Sequence, residues 1–87
     1  MKIEDARKKV QTNRNLLGTV DDKGFSVDTI LIVPHDEKKR QSFFNNYVLD
    51  MDMEKALAPF LKEDLDVLAV DLKHLEDSQT LFFNKLS

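Results

Sequence analysis

Two histidines beside acidic residues are the residues of this sequence whose types and spacing could do chemistry. They lie in Pro34-His35-Asp36-Glu37 and Lys73-His74-Leu75-Glu76. Imidazoles and carboxylates bind divalent metals or anions, and histidine titrates near pH 6.5. If both segments follow parallel strands, the histidines meet at one sheet edge, which makes His35 and His74 the candidate metal ligands. The alternative is two solvated histidines at helix starts, whose acids complement the helix dipole.

The other familiar catalytic motifs are absent from the sequence. There is no cysteine, which excludes thiolate chemistry and disulfides. With two glycines, Gly18 and Gly24, the chain cannot form a Gly-rich phosphate loop. It has no His-Glu-x-x-His pattern, and its serines lie in no nucleophile-elbow context. We therefore expect a non-enzymatic chain without a cofactor.

Paired phenylalanines suggest a contact surface. Phe43-Phe44 and Phe82-Phe83 would each place neighbouring rings about 100° apart on a helix, so both rings of a pair cannot point straight into one core. On a helical wheel of the last segment, Leu81 points away from the apolar seam and Phe82 flanks it. We expect Leu81, Phe82, Phe43 and Phe44 at a contact with a protein partner, including a second copy in a homodimer. The alternative is that the paired rings lie at the core edge.

The elements that must position these residues follow from the apolar spacing. Ile3, Ala6, Val10 and Leu17 predict an N-terminal helix that stops near Gly18. Residues 21–24, Asp-Asp-Lys-Gly, predict the turn of a hairpin. Residues 27–33 are apolar on both faces near their end, which is typical of an interior strand.

Two helical segments are predicted after this strand. The first starts at Asp36, and we expect its buried face to carry Phe43, Phe44, Tyr47, Val48 and Met51. The second follows Asp52 as an N-cap, and Pro59 should break or kink it.

Residues 65–75 fit two structures. Their leucines fall on a heptad seam, which favours a helix, but 66–72 also resembles a buried strand. The strand at 27–33 needs a second neighbour. Residues 27–48 also resemble residues 66–87 at an offset of 39, with matching histidines and Phe-Phe-Asn triplets, and this alignment lays Thr29–Val33 over Leu68–Leu72. Both observations favour a strand. We expect a small two-layer α+β domain with an N-terminal helix, a hairpin, a right-handed βαβ crossover and a C-terminal helix. The alternative is a mostly α chain with one hairpin and a long helix over 60–86.

Composition and charge limit the function classes. The chain has 87 residues, 41% hydrophobic and 33% charged, which predicts one globular domain spanning 1–87. No apolar stretch resembles a signal peptide or a membrane span, so we expect a cytoplasmic protein. Cations cluster at Arg7-Lys8-Lys9 and Lys38-Lys39-Arg40, but acids are interleaved and the net charge is −3. Nucleic-acid binding is therefore not expected. A protein-binding module is the leading hypothesis, and a small-ligand or metal-binding domain with its site at His35 and His74 is the alternative.

Overall fold

A computed structural model of the chain describes residues 1–20, 22, 24 and 26–72, together with the backbone of 82–85. The predicted α+β class is confirmed. In chain order, the described elements are α1 (Ile3–Thr12), a 3₁₀ turn (Arg14–Leu16), β1 (Thr29–Pro34), α2 (Glu37–Asp50), α3 (Met53–Leu57), a second 3₁₀ turn (Ala58–Phe60), β2 (Leu65–Val70) and β3 (Phe82–Lys85).

The described strands form one antiparallel sheet in the order β1-β2-β3. The expectation that the strand at 27–33 is interior is wrong, because β1 lies at the edge of this sheet and pairs with β2 alone among the described strands. The predicted strand at 66–72 is confirmed, with observed bounds Leu65–Val70. The alternative of a helix over 60–86 is wrong. The predicted βαβ crossover is also wrong, because β1 and β2 run antiparallel with Leu31 opposite Leu68. The predicted C-terminal helix is wrong at residues 82–85, which form β3.

The path between β1 and β2 explains the antiparallel pairing. Helix α2 starts beside the end of β1, where Arg40 Nε donates to the Pro34 carbonyl at 3.2 Å, and runs back along the sheet. The segment from α3 to Asp64 then returns to the end of β1, where the His35 N–H donates to the Asp64 carbonyl at 2.8 Å. The chain thus crosses the sheet twice, once through α2 and once through the segment from α3 to Asp64, and returns to the end where β1 stops. Strand β2 therefore starts at that end and runs antiparallel to β1.

Buried aromatic and aliphatic residues form one core around the sheet. Residues 30–34 of β1 are all buried, and because side chains alternate along a strand, both faces of β1 are covered. Helix α2 contributes Phe43, Phe44 and Tyr47, with the Phe43 and Phe44 rings edge to face at 5.5 Å. The expected exposure of one ring in this pair is therefore wrong.

Capping residues start α2 and α3 as the sequence predicts. The Asp36 and Asp52 carboxylates accept backbone N–H groups at 3.1 and 3.2 Å, at the N-termini of α2 and α3. Helix α3 ends at Leu57, two residues before Pro59. The N-terminal helix is shorter than predicted, because α1 ends at Thr12 and not near Gly18. At the predicted hairpin, Val20 forms an antiparallel bridge with Ser26. The Gly18 N–H donates to the Val27 carbonyl, and the Val27 N–H donates to the Thr19 carbonyl, both at 2.9 Å.

Candidate functional site

His35 lies at the end of β1 in contact with an acid. Its Nδ1 is 2.9 Å from Asp66 Oδ2, and its side chain is 55% exposed. Because β1 and β2 are antiparallel, the end of β2 at Val70 lies opposite Thr29, at the other end of β1 from His35. The parallel pairing that would bring both histidines to one edge is therefore wrong. His74 lies outside the described residues, and within those residues no group of three or more histidine, cysteine or acidic side chains could hold a metal.

The charged groups around His35 pair with one another. Asp64 pairs with the amino group of Met1, which lowers the pKa of this carboxyl. Lys39 pairs with Glu63, and their hydrogen bond raises the pKa of the Lys39 amine. Arg40 Nη2 donates to the His35 carbonyl at 2.7 Å. These contacts tie the start of α2 to the segment before β2, which is a structural role.

An exposed apolar surface lies at the C-terminal end of α2. This α2 C-terminal patch consists of Val48, Leu49 and Met51, whose exposed fractions are 39%, 81% and 58%. We expected Val48 and Met51 on the buried face of this helix, and the structure corrects that. The buried stripe of α2 ends at Tyr47. Val48 is one position further around the helix, and Met51 has already left the helical conformation.

Met51 has an unusual backbone conformation. Its φ is +53° and its ψ is +31°, in the left-handed region, while its N–H still donates to the Tyr47 carbonyl at 2.7 Å. Glycine is the usual residue where a helix ends this way, since other L residues have a steric cost there of about 1 kcal/mol. The chain places a large, mostly exposed apolar side chain at this position instead.

A second surface is the α1–α3 groove, with a volume of about 270 Å³ between α1, the outer edge of β1 and α3. Ile32 and Met53 provide apolar walls, and the Ile32 N–H points to Met53 Sδ at 3.5 Å. The groove is lined by Arg7, Val10, Gln11, Arg14, Ile32, Met53 and Glu54. Arg7 donates to the Glu54 carboxylate at 3.3 Å. The Arg14 side chain has no hydrogen-bond or ion-pair partner in the described part of the chain.

The groove is not predicted from the sequence, although a signal exists. Arg7, Val10, Gln11 and Arg14 recur at i, i+3, i+4 and i+7, the spacing of one helix face. The apolar spacing places Val10 with Ala6 in the core stripe instead, and in the structure Arg14 lies in the 3₁₀ turn after α1. Of the predicted contact residues, Leu81 lies outside the described residues, and Phe82 lies in β3 opposite Val70.

Comparison with known proteins assigns neither a family nor a relative. No helix among the described residues is long and apolar enough to cross a membrane. No family model, curated protein or solved structure matches this chain significantly.

Proposed function

We propose that this chain is a non-enzymatic protein-binding module that self-associates through the α2 C-terminal patch. The observation that carries the proposal is the 81% exposure of Leu49, beside the exposed side chains of Val48 and Met51. Isolated exposed leucines are ordinary, but three large apolar side chains exposed within four residues are typical of contact sites.

The conformation of Met51 supports the same surface. A left-handed non-glycine residue persists where the rest of the structure compensates for its cost, and such residues concentrate at functional positions. Met51 is mostly exposed, so core packing does not account for a large side chain there. A flexible thioether side chain adapts well to a contact surface.

The apolar character of the patch favours a second copy as the partner, because an apolar surface is complementary to itself and a two-fold axis brings the same surface of two copies together. Asp50 and Asp52 flank Met51. The Asp50 carboxylate is 3.6 Å from Lys55 Nζ, which offsets one of these two charges.

Sedimentation of a charged variant tests this proposal. Leu49→Glu places an acid in the centre of the patch at an exposed position, so folding should be unaffected. Its self-association should weaken at least about tenfold relative to the wild type, because an unpaired charge is costly in an apolar contact. A wild type that stays monomeric at high micromolar concentration would reject self-association.

Leu61→Glu is the matched control. Leu61 is also an exposed leucine, at 41%, and the substitution adds the same charge. It lies near Glu63, which pairs with Lys39 at the start of α2, about 18 Å of helix from Met51. Self-association of this variant should match the wild type, and equal weakening by both variants would indicate a net-charge effect.

A metal site that includes His35 and His74 is the second candidate function. It is supported by the contact between His35 Nδ1 and Asp66, because metal-bound histidines commonly donate their other N–H to a carboxylate. In that case zinc or nickel should raise the melting temperature in proportion to the logarithm of its concentration, and His35→Ala with His74→Ala should abolish the rise. The absence of any metal-induced rise in the wild type would end this candidate.

A further inference from the structure

The α1–α3 groove combines apolar side chains with two arginines. Val10 is half-buried against the core, and Met53 and the almost fully buried Ile32 complete the apolar lining. Arg7 lies in α1, and Arg14 begins the 3₁₀ turn that follows it. Both side chains line the same groove.

Its size limits what can enter. A cavity of about 150 Å³ holds a benzene ring, and sites for drug-sized ligands begin near about 300 Å³. A groove of about 270 Å³ therefore has room for one large apolar side chain with part of its backbone. It is too small to enclose a nucleotide or a larger cofactor.

The two arginines define the charge of the occupant. Arg14 has no acidic partner in the part of the chain that the structure describes. Arg7 makes one 3.3 Å contact with Glu54, and since a guanidinium has five N–H donors, it can also donate to a second carboxylate. Their side chains lie outside the core, so they need not be desolvated deeply to bind. Carboxylates match a guanidinium in geometry as well as charge.

We propose that the α1–α3 groove binds a short acidic segment of a partner protein, with an apolar side chain against Val10 and Met53 and carboxylates on Arg7 and Arg14. The occupant is therefore a segment with one acid on each side of an apolar residue in its sequence.

A peptide fits this groove better than a nucleic acid does. Glu54 in the lining and the net charge of −3 disfavour any anion, so the occupant must carry few charges. A segment with two carboxylates meets this limit, whereas a nucleic acid carries a phosphate at every nucleotide. The apolar interior has a complement in a leucine or phenylalanine side chain.

Amide chemical-shift titration tests the proposal. The probe is a capped peptide with the sequence aspartate-leucine-serine-aspartate between glycine pairs, and the comparison peptide has asparagines in place of both aspartates. The acidic peptide should shift the amides of Val10, Ile32 and Met53 saturably, and the amide peptide should bind at least about tenfold more weakly. Equal binding of the two peptides would overturn the proposal, as would no binding at millimolar peptide.

A charge-matched pair of variants assigns the effect to the groove. Arg14→Gln should raise the Kd of the acidic peptide about tenfold, because it removes the charge-assisted hydrogen bonds. Lys8→Gln removes the same charge one residue from Arg7 but outside the lining, and it should leave the Kd within about twofold. Equal loss in both variants would show attraction to net charge and would contradict a built site. A spectrum unchanged outside the groove confirms folding.

Two further titrations distinguish a peptide site from a nucleic-acid site and from an effect of the α2 C-terminal patch. A single-stranded oligonucleotide should not shift the groove amides, and saturable shifts there would favour a nucleic-acid site over this proposal. Leu49→Glu should bind the acidic peptide as the wild type does, since the α2 C-terminal patch and the groove share no residues. Loss of peptide binding in that variant would contradict two separate surfaces.

Discussion

Asp36 shows how one side chain can set both the start of an element and its response to pH. Its carboxylate accepts the Lys39 N–H at 3.1 Å and caps α2. This hydrogen bond holds the pKa of Asp36 below its ordinary value of 3.8. A carboxyl whose pKa is lower in the folded chain stabilises it above the unfolded pKa, and that contribution is lost as the pH falls through the folded pKa.

Asp36→Asn isolates this contribution, because asparagine caps helices as well as aspartate but does not titrate. We expect the wild type to lose more thermal stability than Asp36→Asn between about pH 5 and pH 2. Thermal melts followed by circular dichroism at each pH measure the difference. Glu37→Gln removes a neighbouring acid that accepts no capping hydrogen bond, so its pH dependence should follow the wild type more closely. Identical pH profiles for the wild type and Asp36→Asn would contradict the capping account.

At the scale of the element, the conformation of Met51 at the end of α2 bears on both the free energy of unfolding and self-association. Met51→Gly should relieve the left-handed conformation of that residue and raise the free energy of unfolding by up to about 1 kcal/mol. The same change removes an apolar side chain from the α2 C-terminal patch, so self-association should weaken. Denaturant unfolding and sedimentation measure the two effects. A destabilised variant would show that the Met51 side chain is needed for folding.

The helices could largely be predicted from the sequence, because their start and stop signals are local. Asp36, Asp52 and Pro59 act on backbone groups within a few residues of themselves. The direction of strand pairing could not be predicted in this way. Burial on both faces shows that other elements cover β1 and β2, but it shows neither their place in the sheet nor their direction. The direction depends on whether the chain crosses the sheet once or twice between the two strands.

The candidate surfaces were harder to predict than the elements for a physical reason. Helical periodicity placed Met51 on the buried face, but the left-handed turn at that residue redirects its side chain. The α1–α3 groove requires Ile32 and Met53 to meet α1, and this contact exists only once β1 and α3 pack together. The resemblance of residues 74–84 to 35–45 led to a helix at 82–85, where the backbone instead pairs with β2.

At the scale of the whole molecule, the described structure has a continuous core and two separate surfaces. The core covers both faces of β1. The α2 C-terminal patch is apolar, which suits a second copy. The α1–α3 groove has two arginines and suits an acidic segment. A domain of this size gains stability when association buries further apolar area.

The most direct test of the central claim is an isotope-filtered NOE experiment on an equal mixture of labelled and unlabelled copies at high micromolar concentration. Self-association through the α2 C-terminal patch predicts intermolecular NOEs from the Met51 methyl group to the side chains of Val48 and Leu49. These NOEs should disappear when both copies carry Leu49→Glu. Intermolecular NOEs confined to another surface, or none in a wild type that sediments as a monomer, would contradict the account.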